Sequence, residues 1–413
     1  MENEIDKLIK DAVFNQDNEL RTNCRHEIRR MAVEQLIYPA SIQGLYEAAG
    51  KAFYSQKTVP AINIRGLTYQ VARAVFHAAI KDRVGAFIFE IARSEIGYTN
   101  QRPDEYAVCI LAAALREGYS GPVFIQGDHF QINAKKYAVN KEAELKSIQD
   151  LIREAIAAGF YNIDIDASTI VDISKKSLED QQEANSTVTA KMTDFIRKIQ
   201  PAGVTISIGG EIGEVGKYNS TVEDLKAFMT GYQKQLDESP GISKISVQTG
   251  TSHGGVVMPD GSLVKVKVDF ETLEKISDKA RQDYGMAGAV QHGASTLPDE
   301  AFDRFPQANT AEVHLATGFQ NIIYDSPDFP ADLWDRIREH LLNTYKSERK
   351  PEDSDEQFIY KTRKKAFGDF KNEIWHMPES NQEQIRAVLT DRFSLLFRKL
   401  NVIDTAELVG RFC

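Results

Sequence analysis

From residue 60 onward the hydrophobic positions change period in a regular alternation. Short runs of continuous or alternating apolar residues appear at PAINIRG (60–66), GAFIFEIA (85–92), GPVFIQGDH (121–129) and YNIDIDAS (161–168), each followed by a longer stretch with apolar residues three and four apart. The first spacing is that of a strand and the second that of an amphipathic helix. The alternation continues through GVTISIGGE (203–211), SVQTGTSHGG (246–255), AGAVQHG (287–293) and TAEVHLAT (310–317), and the last helix is PADLWDRIREHLLNTY. Thr221 with Asp224 forms a capping-box pattern at the entrance to the fifth of these helices. Eight strand–helix units in succession predict an α/β fold. That number favours closure into a (β/α)8 TIM barrel over an open, doubly wound sheet.

Both ends lie outside that pattern. Residues 1–50 carry helical spacing in EIDKLIKDAVF and IRRMAVEQLI, which predicts an N-terminal helical extension before a barrel domain at 51–347. Residues 348–413 begin in a charged linker and turn helical, as a C-terminal helical extension serving as a cap or an oligomerisation arm; a homo-oligomer is expected. Hydrophobic residues at 42% and charged residues at 27% describe a soluble globular protein. The net charge of −10 argues against nonspecific nucleic-acid binding, which needs clustered Lys and Arg. Cys24, Cys109 and Cys413 are odd in number and without CxxC spacing, so a reducing compartment is expected. The N-terminus has no signal-peptide pattern and no apolar run approaches ~18 residues, so the expectation is a cytoplasmic protein without a membrane partner.

In a barrel of this kind the chemistry sits at the C-terminal ends of the strands. The third predicted strand ends in Asp128-His129, the fourth in Asp166, the fifth in Glu211, the sixth in His253 and the seventh in His292. Any one of these histidines alone would be read as a hydrogen-bonded structural side chain. Three at the same end of different strands, each beside Gly or Asp, point instead to a shared ligand. Three imidazoles and a carboxylate suit Zn2+.

The motifs GDH (127–129), IDAS (165–168), GGEIGEVG (209–216), GTSHGG (250–255) and QHGAST (291–296), with VPAINIRG as a first strand, resemble in order those of the class II fructose-bisphosphate aldolases. The similarity spans about residues 41–325. It implies a zinc ion on His129, His253 and His292 with Glu211 as a further ligand, and Asp128 as the acid/base for the hydroxyl at the cleaved bond. The implied chemistry is aldol cleavage of a ketose phosphate such as fructose 1,6-bisphosphate, as in glycolysis, through a metal-stabilised enediolate. Glu214 is the loop candidate for reprotonation, although the family's paired acidic residues are not matched there and a solvated loop carboxylate is the competing reading. Asn63, Asp166, Gly254, Gly293, Ser295 and Thr317 fall at substrate-facing positions. Asp166 reads equally as a strand-end residue bonding a neighbouring loop.

Two features depart from the family. His314 and Ala316 replace the Asn and Asp of its phosphate motif after the last strand, and Ala92 stands where a serine is expected. An anionic ketose or sugar acid held by backbone amides and Arg93 would suit the altered pocket; His314 faces either the substrate or the core. The basic run YKTRKKAFG (360–368) is a solvated face or brings Arg363, Lys364 or Lys365 to an anionic group. Three functions follow: a zinc aldolase, a metal-dependent epimerase of a hexuronate-type sugar acid, and a non-catalytic barrel subunit of an aldolase complex.

Overall fold

In the computed structural model, which describes residues 4–212, 218–250 and 267–413, each predicted apolar run contributes a strand. In chain order the strands are β1 (Ile37–Ala40), β2 (Val59–Asn63), β3 (Ile88–Ala92), β4 (Gly121–Gln131), β5 (Asn162–Asp166), β6 (Ser207–Glu211), β7 (Lys244–Val247), β8 (Ala289–Gln291) and β9 (Glu312–Leu315). From β2 to β9 each strand pairs in parallel with the next, and β9 returns to β2 with Ala61 opposite His314. The result is a closed eight-stranded barrel with helices around it, the (β/α)8 architecture.

The strand β1 was not expected. The preceding helix, Asn18–Glu34, stops before the end of its apolar pattern, and Leu36 takes a left-handed φ of 58°. Ile37 and Tyr38 favour extended backbone, and Pro39 has no N–H to give a helix. The segment pairs instead with the start of β4, Ile37 opposite Gly121. The capping box does form: Asp224 N donates to Thr221 Oγ1 at 3.1 Å, and Thr221 N donates to Asp224 Oδ2 at 2.8 Å.

One hydrophobic core runs through the described residues. It includes Ile9 and Ile28 of the N-terminal helices, Phe76 and Ile110 of the helices outside the barrel, and Phe393 and Phe397 of the long helix Glu379–Lys399. The Phe397 ring lies 5.8 Å from Phe87 and the Phe393 ring 4.9 Å from Phe319. Just before that helix the chain crosses the C-terminal end of the barrel, with Phe367 against Gly66 and Gly368 against Tyr98. Segments distant in sequence thus meet at the mouth. Among the described residues no helix is long and apolar enough to cross a membrane.

Candidate metal centre and active site

Barrel interiors are ordinarily filled by branched apolar side chains. Here several inward positions are charged. Glu90, Asp164, Lys244 and Glu312, with the neutral Gln126, lie within or at the start of their strands, two residues before Ala92, Asp166, Ser246, His314 and Asp128 respectively and therefore on the same face as them. Lys244 Nζ is 2.5 Å from Glu312 Oε2 and 2.9 Å from Asp164 Oδ1, and it donates to Gln126 Oε1 at 2.6 Å. Gln126 Nε2 donates to Glu90 Oε2 at 3.0 Å, and the Tyr46 hydroxyl donates to Glu312. Gly209 makes room for the ion pair: a Cβ there would lie 2.9 Å from both Asp164 Cγ and Lys244 Cε.

Burial in this network is offset unevenly. It raises the carboxyl of Glu90 to about 7, with the Asp128 charge adding to the effect. Burial also raises Asp164 to about 6, although Lys244 opposes it. At Glu312 burial acts in the same upward sense, yet Lys244 and His314 outweigh it and hold the carboxyl down to about 2.

His314 joins this interior to the mouth. Its Nε2 lies 2.8 Å from Glu312 Oε2, and its Nδ1 lies 3.0 Å from Glu90 Oε2 and 3.3 Å from Asp128 Oδ1. Burial disfavours its charge, but Glu90, Asp128 and Glu312 raise its pKa well above the usual histidine value. The rings of His129, His292 and His314 follow one another across the mouth, with centroids 4.3 and 4.2 Å apart.

Adjacent residues of a regular strand point to opposite sides. Asp128 and His129 nevertheless both line the cavity at the mouth. The register of β4 on β5 slips between Gly127 and Phe130, a bulge in which His129 takes a φ of 41°. Phe130 folds back over Gly127, where a Cβ would be 2.5 Å from its ring carbon Cε1. That is the physical content of the glycine in GDH.

The bulge presents His129 to three groups. Its Nδ1 is 2.9 Å from Asp166 Oδ2 and 3.3 Å from Glu211 Oε2, and its Nε2 is 3.2 Å from His292 Nδ1. Asp166 also accepts from Gln131 Nε2 at 2.6 Å and from Ser168 Oγ at 2.6 Å, so it orients the imidazole and ties down the following loop. The hydroxyl of Ser246 lies 3.1 Å from His292 Nε2.

Donor atoms of His129, Glu211 and His292 lie within 4.8 Å of one another, and two imidazoles with a carboxylate form a donor set that fits a divalent cation. The electrostatics agree: burial opposes charge on His129, yet Asp128 and Glu211 raise its pKa well above normal. A proton there and a metal ion answer the same surplus of negative charge. Burial, then the Asp166 charge, lifts the Glu211 carboxyl to about 7. The group Asp164, Glu312 and His314 also has ligand-like spacing, but the Lys244 ammonium already supplies its cation.

A sequence model of the family described as fructose-bisphosphate aldolase class-II matches residues 43–381, most of the chain. The chain belongs to the class II fructose-bisphosphate aldolase family. No curated protein matches the sequence significantly. Among solved structures, fructose-bisphosphate aldolase from Campylobacter jejuni is similar at 18% identity with a TM-score of 0.53, over 90% of this chain and 98% of that one. The glycerol-complexed fructuronate-tagaturonate epimerase UxaE from Cohnella laeviribosi is similar at 13% identity with a TM-score of 0.61, over 92% of this chain and 85% of that one. At these identities the likeness is one of fold.

Within the aldolase fold, the cavity at the mouth has a volume of about 520 Å³. Asn63, Asp128, His129, His292, Gly293, Ser295, His314 and Thr317 all line it. Asp166 and Glu211 stand behind His129. Arg363 does not reach the cavity: it is buried in a bidentate pair with Asp325, at 2.5 and 3.1 Å, and donates to Asn321, while its neighbour Lys364 lines the wall. Glu214, His253 and Gly254 lie outside the described residues. The interior charges Glu90, Lys244 and Glu312, with Arg65 and Glu95 at the rim, escaped the sequence reading. A charged residue inside an apolar run, as in FIFEIA or SKISV, would have pointed to the interior set.

Proposed function

We propose that this family member is a zinc-dependent aldolase acting on an anionic ketose, with the reaction at the mouth of the barrel. The observation that carries this reading is the convergence of Asp128, His129 and His292, from two strands far apart in sequence, on one cavity. His129, Glu211 and His292, joined by His253 from the family motif, would hold the metal. Bound there, Zn2+ supplies Lewis acidity toward a ketose carbonyl and its neighbouring hydroxyl.

The remaining work falls to the chain's own groups. A carboxylate oxygen of Asp128 takes the proton of the hydroxyl on the carbon that leaves, and in the joining direction it returns that proton. His314 Nδ1, 3.3 Å from Asp128 Oδ1, aims that carboxylate into the cavity. Asn63, Gly293 and Thr317 line the substrate's path. Of the four cations that line the cavity, Arg65 and Arg93 are paired with Glu95 and Glu144, and Lys136 and Lys364 are left to favour an anionic ketose. Glu214 is the proposed acid for the carbon left behind.

One observation favours the second reading, epimerisation of a sugar acid. The Ala316 amide donates to Ser295 Oγ at 2.7 Å, so that amide is taken up within the chain rather than left for a phosphate, and Ala316 brings no carboxylate. Both readings are tested together by incubating the zinc-loaded chain with fructose 1,6-bisphosphate and, separately, with tagaturonate. Triose phosphate formation that stops with chelator supports the aldolase; conversion to an isomeric sugar acid supports the epimerase. A chain indifferent to both, with or without zinc, would count against both readings and favour the scaffold role.

A further inference from the structure

The basic run YKTRKKAFG is committed almost throughout. Lys361 pairs with Asp353, Arg363 with Asp325 at 2.5 Å, and Lys365 with Glu348 at 2.5 Å. Lys364 differs from them in two ways. It lines the cavity, and it has no ion pair among the described residues; its Nζ sits 5.6 Å from the centroid of the Tyr98 ring.

The two arginines of the cavity are paired, and its other lysine, Lys136, is open to solvent. Arg65 is bound to Glu95 at 2.7 Å and donates to Gln320 at 3.1 Å, so its charge is matched. Arg93 is held by Glu144 at 2.5 Å and by the Gln131 carbonyl at 2.6 Å, and Lys136 is exposed. Among the described residues, the end of the cavity formed by Arg65, Glu95, Tyr98 and Lys364 therefore carries one positive charge in excess. Burial, then the neighbouring Arg65, lowers the Lys364 pKa below the ordinary lysine value, the signature of an ammonium that is short of a counter-charge.

A single unmatched charge beside a neutralised pair suits a monoanion. A phosphate monoester carries about −1.5 to −2 at neutral pH and is usually met by several cations or free amides. Here the Ala316 amide is already taken by Ser295.

We propose that Lys364, carried to the mouth by the C-terminal extension, is a specificity-determining residue that pairs with a terminal carboxylate of the ketose substrate. This deepens the reading of an anionic ketose at this site and rests on it. It makes the extension part of the binding site and selects sugar acids over sugar phosphates.

Three six-carbon polyhydroxy compounds without an aldehyde or ketone, which cannot be turned over, separate the possibilities: D-gluconate, D-sorbitol 6-phosphate and D-sorbitol. Their binding to the full chain is measured by calorimetry, with and without zinc. The native chain should bind gluconate at least about tenfold more tightly than sorbitol and more tightly than sorbitol 6-phosphate, consistent with a charge-assisted contact. Lys364→Met should erase the gluconate preference and Lys364→Arg should retain most of it.

The proposal is overturned if native protein shows no gluconate preference or binds sorbitol 6-phosphate more tightly. It is also overturned if the preference survives in Lys364→Met or follows zinc rather than Lys364. The comparison on native protein needs no variant, so a misfolded Lys364→Met would not rescue the idea. Because the probes cannot react, failure here is distinct from failure of the aldolase reading, which metal content and turnover decide.

Discussion

Replacing Lys244 by Met tests whether the barrel interior is held by its charges. Lys244 is almost fully buried and serves Glu312 at 2.5 Å, Asp164 at 2.9 Å and Gln126 at 2.6 Å. Methionine fills nearly the same volume but leaves two buried carboxylates with His314 as their one nearby cation. Removing one partner of a buried pair typically costs about 3–5 kcal/mol, because the other charge stays desolvated. That range is the expected loss at pH 7.

The pH dependence has a definite sign. In the native chain Glu312 is held at about 2, so its stabilisation is present above the unfolded value of 4.5 and fades as pH falls toward 2. In the variant, Glu312 and Asp164 should titrate above their unfolded values, so the deficit should grow as pH rises from about 4 to 7. Urea unfolding followed by circular dichroism, in chelator and at pH 5 and pH 7, reads both effects. Lys244→Met with Glu312→Gln should recover part of the loss. A single variant within about 1 kcal/mol of native stability at both pH values would refute the reasoning, since that is the range of an exposed pair.

Asp128→Asn should leave zinc content unchanged and lower kcat by about 100-fold or more, the usual contribution of a positioned acid/base; metal analysis beside steady-state turnover checks it, and an unchanged kcat would remove Asp128 from the chemistry. Glu90, raised to about 7, keeps its proton when the unfolded chain has lost it, so its contribution to stability falls as pH rises from about 4.5 to 7. Glu90→Gln should therefore gain stability relative to native across that window in urea titrations, and a difference that is flat with pH would contradict the assignment.

The barrel was legible because its signal is repetitive: eight changes of period survive an error of a few residues at any boundary. What the pattern missed, β1, turned on the local chemistry of Ile37, Tyr38 and Pro39 after a helix whose apolar spacing ran past its true end. At the site, Asp128, His129, Glu211 and His292 stood out as unusual residues at predicted strand ends beside Gly or Asp. The interior charges did not, because a lone Glu or Lys in an apolar run acquires meaning only when the barrel closes and sets Lys244 beside Asp164 and Glu312. Arg363 and Lys364 show the opposite limit. The sequence marked the basic run, but Arg363 and Lys364 lie in a 3-10 turn whose adjacent residues point about 120° apart, and packing alone sends Arg363 to Asp325 and Lys364 to the cavity. That Asp128 and His129 share one cavity depends on the bulge at Gly127, which no period reveals.

The central claim is that His129, Glu211 and His292 grasp one divalent cation, and elemental analysis of the purified chain tests it most directly. After loading with zinc and exhaustive dialysis, the native protein should retain about one zinc per chain, and a folded His292→Ala should retain almost none. Equal zinc in the two proteins, or none in the native chain after loading, would contradict the account.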